Sequence, residues 1–132
     1  MNFFVDTSAL YALIDGDDAN HPPAKAFFLA CLDRSDKFFS SNYVILETVA
    51  LIQRRLGLNA LRDFINILLP VFHLYWVEEK HHDVGLRVLM MNNECDLSLV
   101  DCTSFEIMRL NELEDAFAFD RHFAQQGFRC HP

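Results

Sequence analysis

Four carboxylates in this chain fall where one structural element gives way to another. Asp6 follows Phe3-Phe4-Val5, and Asp120 follows Ala116-Phe117-Ala118-Phe119. Asp101 stands three residues after Ser98, and Glu47 is the sole charge in Tyr43–Ile52. Brought to one place, such acids repel one another strongly unless a divalent cation neutralises them. Oxygen donors without paired His or Cys favour Mg2+ or Mn2+. An acidic pocket holding such ions, with positions open to water, is equipped for in-line hydrolysis of a phosphodiester. Each acid also has an ordinary local explanation. Asp6 can be only the N-cap of the helix that follows it. Ser98 and Asp101 read as a capping box, with Asp101 favoured by the helix dipole. Glu47 can snorkel from an apolar helix, pair with Arg54, or be placed for function.

The elements that must position these acids alternate along the chain. Phe3–Val5 reads as a strand buried on both faces, followed by a helix over Ala9–Ile14. Thr7 and Ser8 put two hydroxyls at that junction. Pro22 and Pro23 suit the first turn of a helix running to Leu32, and Lys37–Ser40 is a second strand. Ser41 or Asn42 caps a helix from Tyr43 to Leu56, which Gly57 closes. A second helix, Asn59 to Leu69, stops at Pro70 and completes an αα-hairpin. Phe72–Val77 alternates more and reads as a less enclosed strand. Helices over Glu79–Asn92 and Ser98–Leu110 follow, then the apolar strand Ala116–Phe119 and a helical turn from Asp120. Gly127 turns the chain into an edge strand, Phe128–Cys130. Such alternation predicts an α/β domain with a mainly parallel sheet of four to five strands and helices on both faces. In that architecture strand ends and helix starts share one edge. The four acids can converge there although 41, 54 and 19 residues separate them in turn.

Composition bounds the rest. The 132 residues, 52% hydrophobic, make a single domain over 1–132. No apolar run reaches the roughly 18 residues a membrane span needs, so a soluble cytoplasmic protein is expected. Cys31, Cys95, Cys102 and Cys130 show neither zinc nor disulfide spacing and read as core thiols of a reducing compartment. The loop Asp15–Asn20 lacks the closing Glu of an EF-hand, and adjacent His81 and His82 point apart on a helix, so no metal is assigned to either. A net charge of −8 excludes coating nucleic acid by bulk electrostatics. A nucleic-acid substrate would need local steering, for which Arg54 and Arg55 near Glu47, Arg109 after Asp101 and Arg121 beside Asp120 are the candidates. The hairpin from Tyr43 to Leu69 carries more apolar side chains than one face can bury, which suits a symmetric homodimer.

Phe4-Val5-Asp6-Thr7-Ser8-Ala9-Leu10, Tyr43–Thr48, Leu97–Phe105 and Phe119–Phe123 together resemble the PIN domain family. The likeness is closest to the VapC-type toxin ribonucleases of toxin–antitoxin pairs, and it spans the whole chain. It implies a three-layer α/β/α fold and Mg2+- or Mn2+-dependent RNA cleavage. The implied catalytic and metal-binding quartet is Asp6, Glu47, Asp101 and Asp120. It implies an antitoxin whose helix or tail docks near the hairpin and carries Arg or Lys to the pocket. Ala118 stands where many members carry Thr or Ser, leaving Ser8 as the candidate hydroxyl, and Asp96 is either a fifth acid or a loop cap. Two other classes compare poorly. A non-catalytic PIN-like binding module would not need all four acids. A haloacid dehalogenase-type phosphotransferase would want Asp where Ser8 stands.

Overall fold

Phe3, Phe4 and Val5 are each at most 1% exposed, as a strand covered on both faces requires. This strand, β1 (Asn2–Val5), is central. It is joined by β2 (Lys37–Ser41), β3 (His73–Tyr75), β4 (Asp115–Phe117) and β5 (Arg129–His131). All neighbours run parallel, in the order β3-β2-β1-β4-β5. The structure is a computed structural model that describes residues 1–93 and 96–132. Between the strands lie α1 (Thr7–Ile14), α2 (His21–Asp33), α3 (Asn42–Arg55), α4 (Leu58–Asp63), α5 (Glu79–Met91), α6 (Leu99–Leu110) and α7 (Arg121–Gln125).

Alternation of side chains along β1 builds a core on each face of the sheet. Phe3 meets Phe27 of α2 edge-on at 5.2 Å, and Phe27 meets Phe117 of β4 at 4.9 Å. On the other face Phe4 stacks on Phe123 of α7, which meets Phe105 of α6 at 5.1 Å. Helices α5 and α6 approach so closely that a Cβ on Gly85 would lie 2.8 Å from Thr103 Cγ2. Cys31 and Cys102 are buried free thiols and Cys130 is partly buried; Cys95 lies outside the described residues.

Three elements differ from the expectation in informative ways. The second hairpin helix is not uniform: α4 passes into a π-helical segment, Phe64–Leu68, then a 3-10 turn, Leu69–Val71. Pro70 cannot donate to the ladder and its ring crowds the preceding turn, so a regular helix cannot run through it. The widened turn seats Phe64 wholly in the core. Second, β4 stops at Phe117, short of Phe119, because its neighbour β1 has by then turned into α1. Phe119 N donates instead to Ser8 Oγ at 3.0 Å. Third, β3 is shorter than Phe72–Val77, and its exposed His73 and Leu74 mark it as the sheet's edge.

The hairpin divides as its crowded pattern requires. Ile52 and Phe64 are fully buried, whereas Leu46, Ile65 and Ile67 remain exposed, Leu46 at 69%. No helix among the described residues is long and apolar enough to cross a membrane.

Candidate active site at the carboxyl edge of the sheet

The chain leaves β1 for β2 on one side and later adds β4 on the other, so the strand order reverses between β1 and β4. Open α/β sheets place their crevice at such a point, beyond the carboxyl ends of the strands. Asp6 follows directly on β1 and caps α1. Its Oδ2 accepts from Ser8 N at 3.1 Å and from Ser8 Oγ at 2.7 Å. The same Ser8 hydroxyl accepts from Phe119 N, so one side chain ties Asp6 to the segment leading to Asp120. Asp120 caps α7, and its Oδ1 accepts from His122 N at 2.9 Å and lies 2.7 Å from His122 Nδ1.

Asp101 enters through the capping box. Ser98 N donates to Asp101 Oδ2 at 3.0 Å and Asp101 N donates to Ser98 Oγ at 3.0 Å. Capping and site membership are therefore the same geometry, since the box fixes one carboxylate oxygen and leaves the other. Thr7 Oγ1 lies 3.1 Å from Thr48 Oγ1 and 3.3 Å from the Val44 carbonyl, and so packs α1 against α3. Glu47 stands exposed at the rim one turn into α3.

Electrostatics shows that the four acids share one region. The Asp6 carboxyl is pushed up to about 7, by burial first and by the like charges of Asp101 and Asp120, against the lowering effect of Ser8. Asp101 is raised by burial and by Asp120, opposed by Ser98 and His122. Glu47 is raised by the atoms crowding its carboxyl, then by Asp101 and Asp120. One donor atom each from Asp101, Asp120 and His122 lies within 4.8 Å of the others. This donor set fits a divalent cation: two carboxylates and an imidazole within coordinating reach, with two more acids acting on them.

His122 falls inside the Phe119–Phe123 block, but a His two residues past a cap is common on helices and marks no ligand by itself. Its burial, at 7% of the side chain, is what distinguishes it. Burial alone would lower its pKa, but Asp120 and Asp96 outweigh that and raise it. Asp96 is exposed and paired with Arg121 at 2.6 Å. Desolvation works against its ionised form, but a backbone hydrogen bond, Arg121 and His122 hold its carboxyl below the usual range.

The basic candidates separate. Arg121 opens α7 beside Asp120 and is exposed. Arg54 is exposed in the last turn of α3, two turns along the stripe of Glu47, and among the described residues no ion pair joins them. Arg55 lies over the Tyr11 ring at 5.5 Å. Arg109 is not brought to the acids. It occupies the last turn of α6, roughly 12 Å along the axis from Asp101, where it donates to Gln126 at 2.8 Å and covers Phe128. One buried acid lies off the site: Asp115, at the amino end of β4, receives both prongs of Arg129 at 2.9 Å.

Comparison with known proteins agrees with this geometry. The PIN domain family model matches residues 3–129. The chain is 34% identical over 126 residues to the 23S rRNA-specific endonuclease VapC20 of Mycobacterium tuberculosis H37Rv, covering 95% of this chain and 94% of that protein. The crystal structure of M. tuberculosis VapC20, described as a sarcin-ricin loop cleaving toxin, superposes with a TM-score of 0.82 at 32% identity, over 96% of this chain and 95% of that one. FitAcB from Neisseria gonorrhoeae shares the fold at a TM-score of 0.73 and 11% identity, over 100% and 97% of the two chains.

Proposed function

The chain belongs to the PIN domain family, and from that premise we propose that it is a divalent-cation-dependent endoribonuclease, the toxin of a toxin–antitoxin pair, acting in the cytoplasm. The observation that supports this reading is that Asp6 and Glu47 each feel the like charges of Asp101 and Asp120, whose donor atoms lie within 4.8 Å of each other and of His122. The charges acting on Asp6 include two of its own sign, Asp101 and Asp120, and a cation would offset that repulsion. Asp101 and Asp120 would hold Mg2+ or Mn2+, with Asp6 and Glu47 completing the acidic wall. When bound, such a cation polarises a phosphate oxygen and lowers the pKa of water.

The protein's own groups do the remaining work. Ser8 holds Asp6 in register with the backbone before Asp120, which supplies at this junction the hydroxyl that Ala118 lacks. Ser98 keeps one Asp101 oxygen turned to the helix end and the other available. Arg121, with Arg54 further along the rim, receives the RNA backbone locally in a chain of net charge −8. RNA is the proposed substrate because the match to an rRNA endonuclease runs nearly end to end, and the sarcin-ricin stem-loop is the first RNA to test. Exposed Leu46, Ile65 and Ile67 suit a homodimer, with an antitoxin docking on the same hairpin region.

Cleavage of that stem-loop by purified protein, with Mg2+ or Mn2+ and with chelator, tests the reading. Cation-dependent cleavage lost in Asp101→Asn is expected. Wild-type rates in Asp101→Asn, or full activity in chelator, would refute it. Arg121→Glu should weaken RNA binding and make its salt dependence shallower; an unchanged salt slope removes Arg121 from the substrate path.

A further inference from the structure

We propose that His122 is a nitrogen ligand of the same cation, oriented by Asp96, and that it tilts the site toward Mn2+ over Mg2+. The proposal rests on reading the acids as a cation site and adds a donor of different chemistry. His122 Nδ1 and Asp120 Oδ1 are 2.7 Å apart. That is close to the spacing of two adjacent ligands on one ion, since donors at ~2.1 Å and roughly a right angle lie about 3 Å from each other. The ring is nearly buried, and its backbone N–H donates to the same Asp120 oxygen, so the opening of α7 sets its position.

The other ring nitrogen explains why Asp96 is there. Nε2 faces Asp96 Oδ1 at 3.4 Å, and Asp96 is anchored by Arg121 at 2.6 Å. Metal-bound histidines recurrently direct their second nitrogen at a carboxylate, which fixes the tautomer and strengthens the ligand. Asp96 is thereby a positioning residue acting through His122. An imidazole nitrogen suits Mg2+ poorly, because that ion prefers an all-oxygen octahedron, whereas Mn2+ accepts mixed oxygen and nitrogen donors. In the competing role, His122 would hydrogen-bond Asp120 without touching the metal. The two roles differ in one observable, whether a nitrogen nucleus is bonded to the ion.

Electron spin-echo envelope modulation of the full chain loaded with Mn2+ reads that bond directly. Nitrogen-14 modulation is expected in the wild type, altered when histidine is labelled with nitrogen-15, and absent in His122→Asn. Calorimetric titration should show the Mn2+ Kd rising about 10- to 100-fold in His122→Asn and in Asp96→Asn, with a smaller rise for Mg2+. Asp96→Asn should keep the modulation. Mn2+ bound to the wild type without nitrogen modulation overturns the inference and leaves the carboxylate site standing. Failure of Mn2+ to bind at all overturns both. The wild-type spectrum decides even if His122→Asn does not fold.

Discussion

Asp6→Asn should make this protein more stable at neutral pH while abolishing its activity. The Asp6 carboxyl moves from 3.8 to about 7 on folding, chiefly through burial. A group raised on folding binds its proton more tightly in the native state, so its contribution is intact below the unfolded value and is lost as pH rises through the folded one. The full loss is the shift of about three pH units times 1.36, or roughly 4 kcal/mol. Asn is isosteric and can accept the same two bonds from Ser8, whose effect on the charged form is already contained in that net shift. The expectation is a gain of about 4 kcal/mol at pH 8, or ~10–15 °C in Tm for a domain of this size. At pH 4, where Asp6 is already protonated, the gain should vanish. Thermal melts of both proteins at pH 4, 6 and 8, in chelator, would show the difference opening through the interval from 4 to 7. Mn2+ should then stabilise the wild type more than the variant. A variant less stable than wild type at pH 8, or a difference that does not change with pH, would refute the account of a buried carboxylate crowded by its own kind.

Gly85→Ala should cost about 1–3 kcal/mol by overpacking against Thr103, and the double variant with Thr103→Ser, which removes the obstructing methyl, should recover most of it in urea denaturation. Sedimentation at micromolar concentration should show a dimer that Leu46→Asp dissociates; a 15.3 kDa species for the wild type would refute the dimer.

The fold, and the places of three of the acids in it, are legible because each rests on a local signal. Alternating strands and helices specify a parallel sheet, and Asp6, Asp101 and Asp120 all sit at caps, whose chemistry is read over three or four residues. Glu47 was legible only as an anomaly, one charge in an apolar helix. His122 is not, since what sets it apart is burial and a neighbour, Asp96, 26 residues upstream. Arg109 shows a related effect. Nearness to Asp101 in sequence becomes distance along a helix that leads away from the site. Asp115 gives no signal because β4 begins one residue before the apolar run suggests, and its partner Arg129 belongs to another strand.

The hydrogen bond from Phe119 to Ser8 joins residues 111 positions apart. During synthesis the strand bearing Asp6 emerges early, but its neighbour β4 and the loop bearing Asp120 are made only after more than a hundred further residues. A parallel strand cannot be substituted by a local hairpin, so no chain that stops before β4 contains the crevice. The acids carried by β1 and by the loop after β4 can therefore share one crevice only once β4 has been made and paired beside β1.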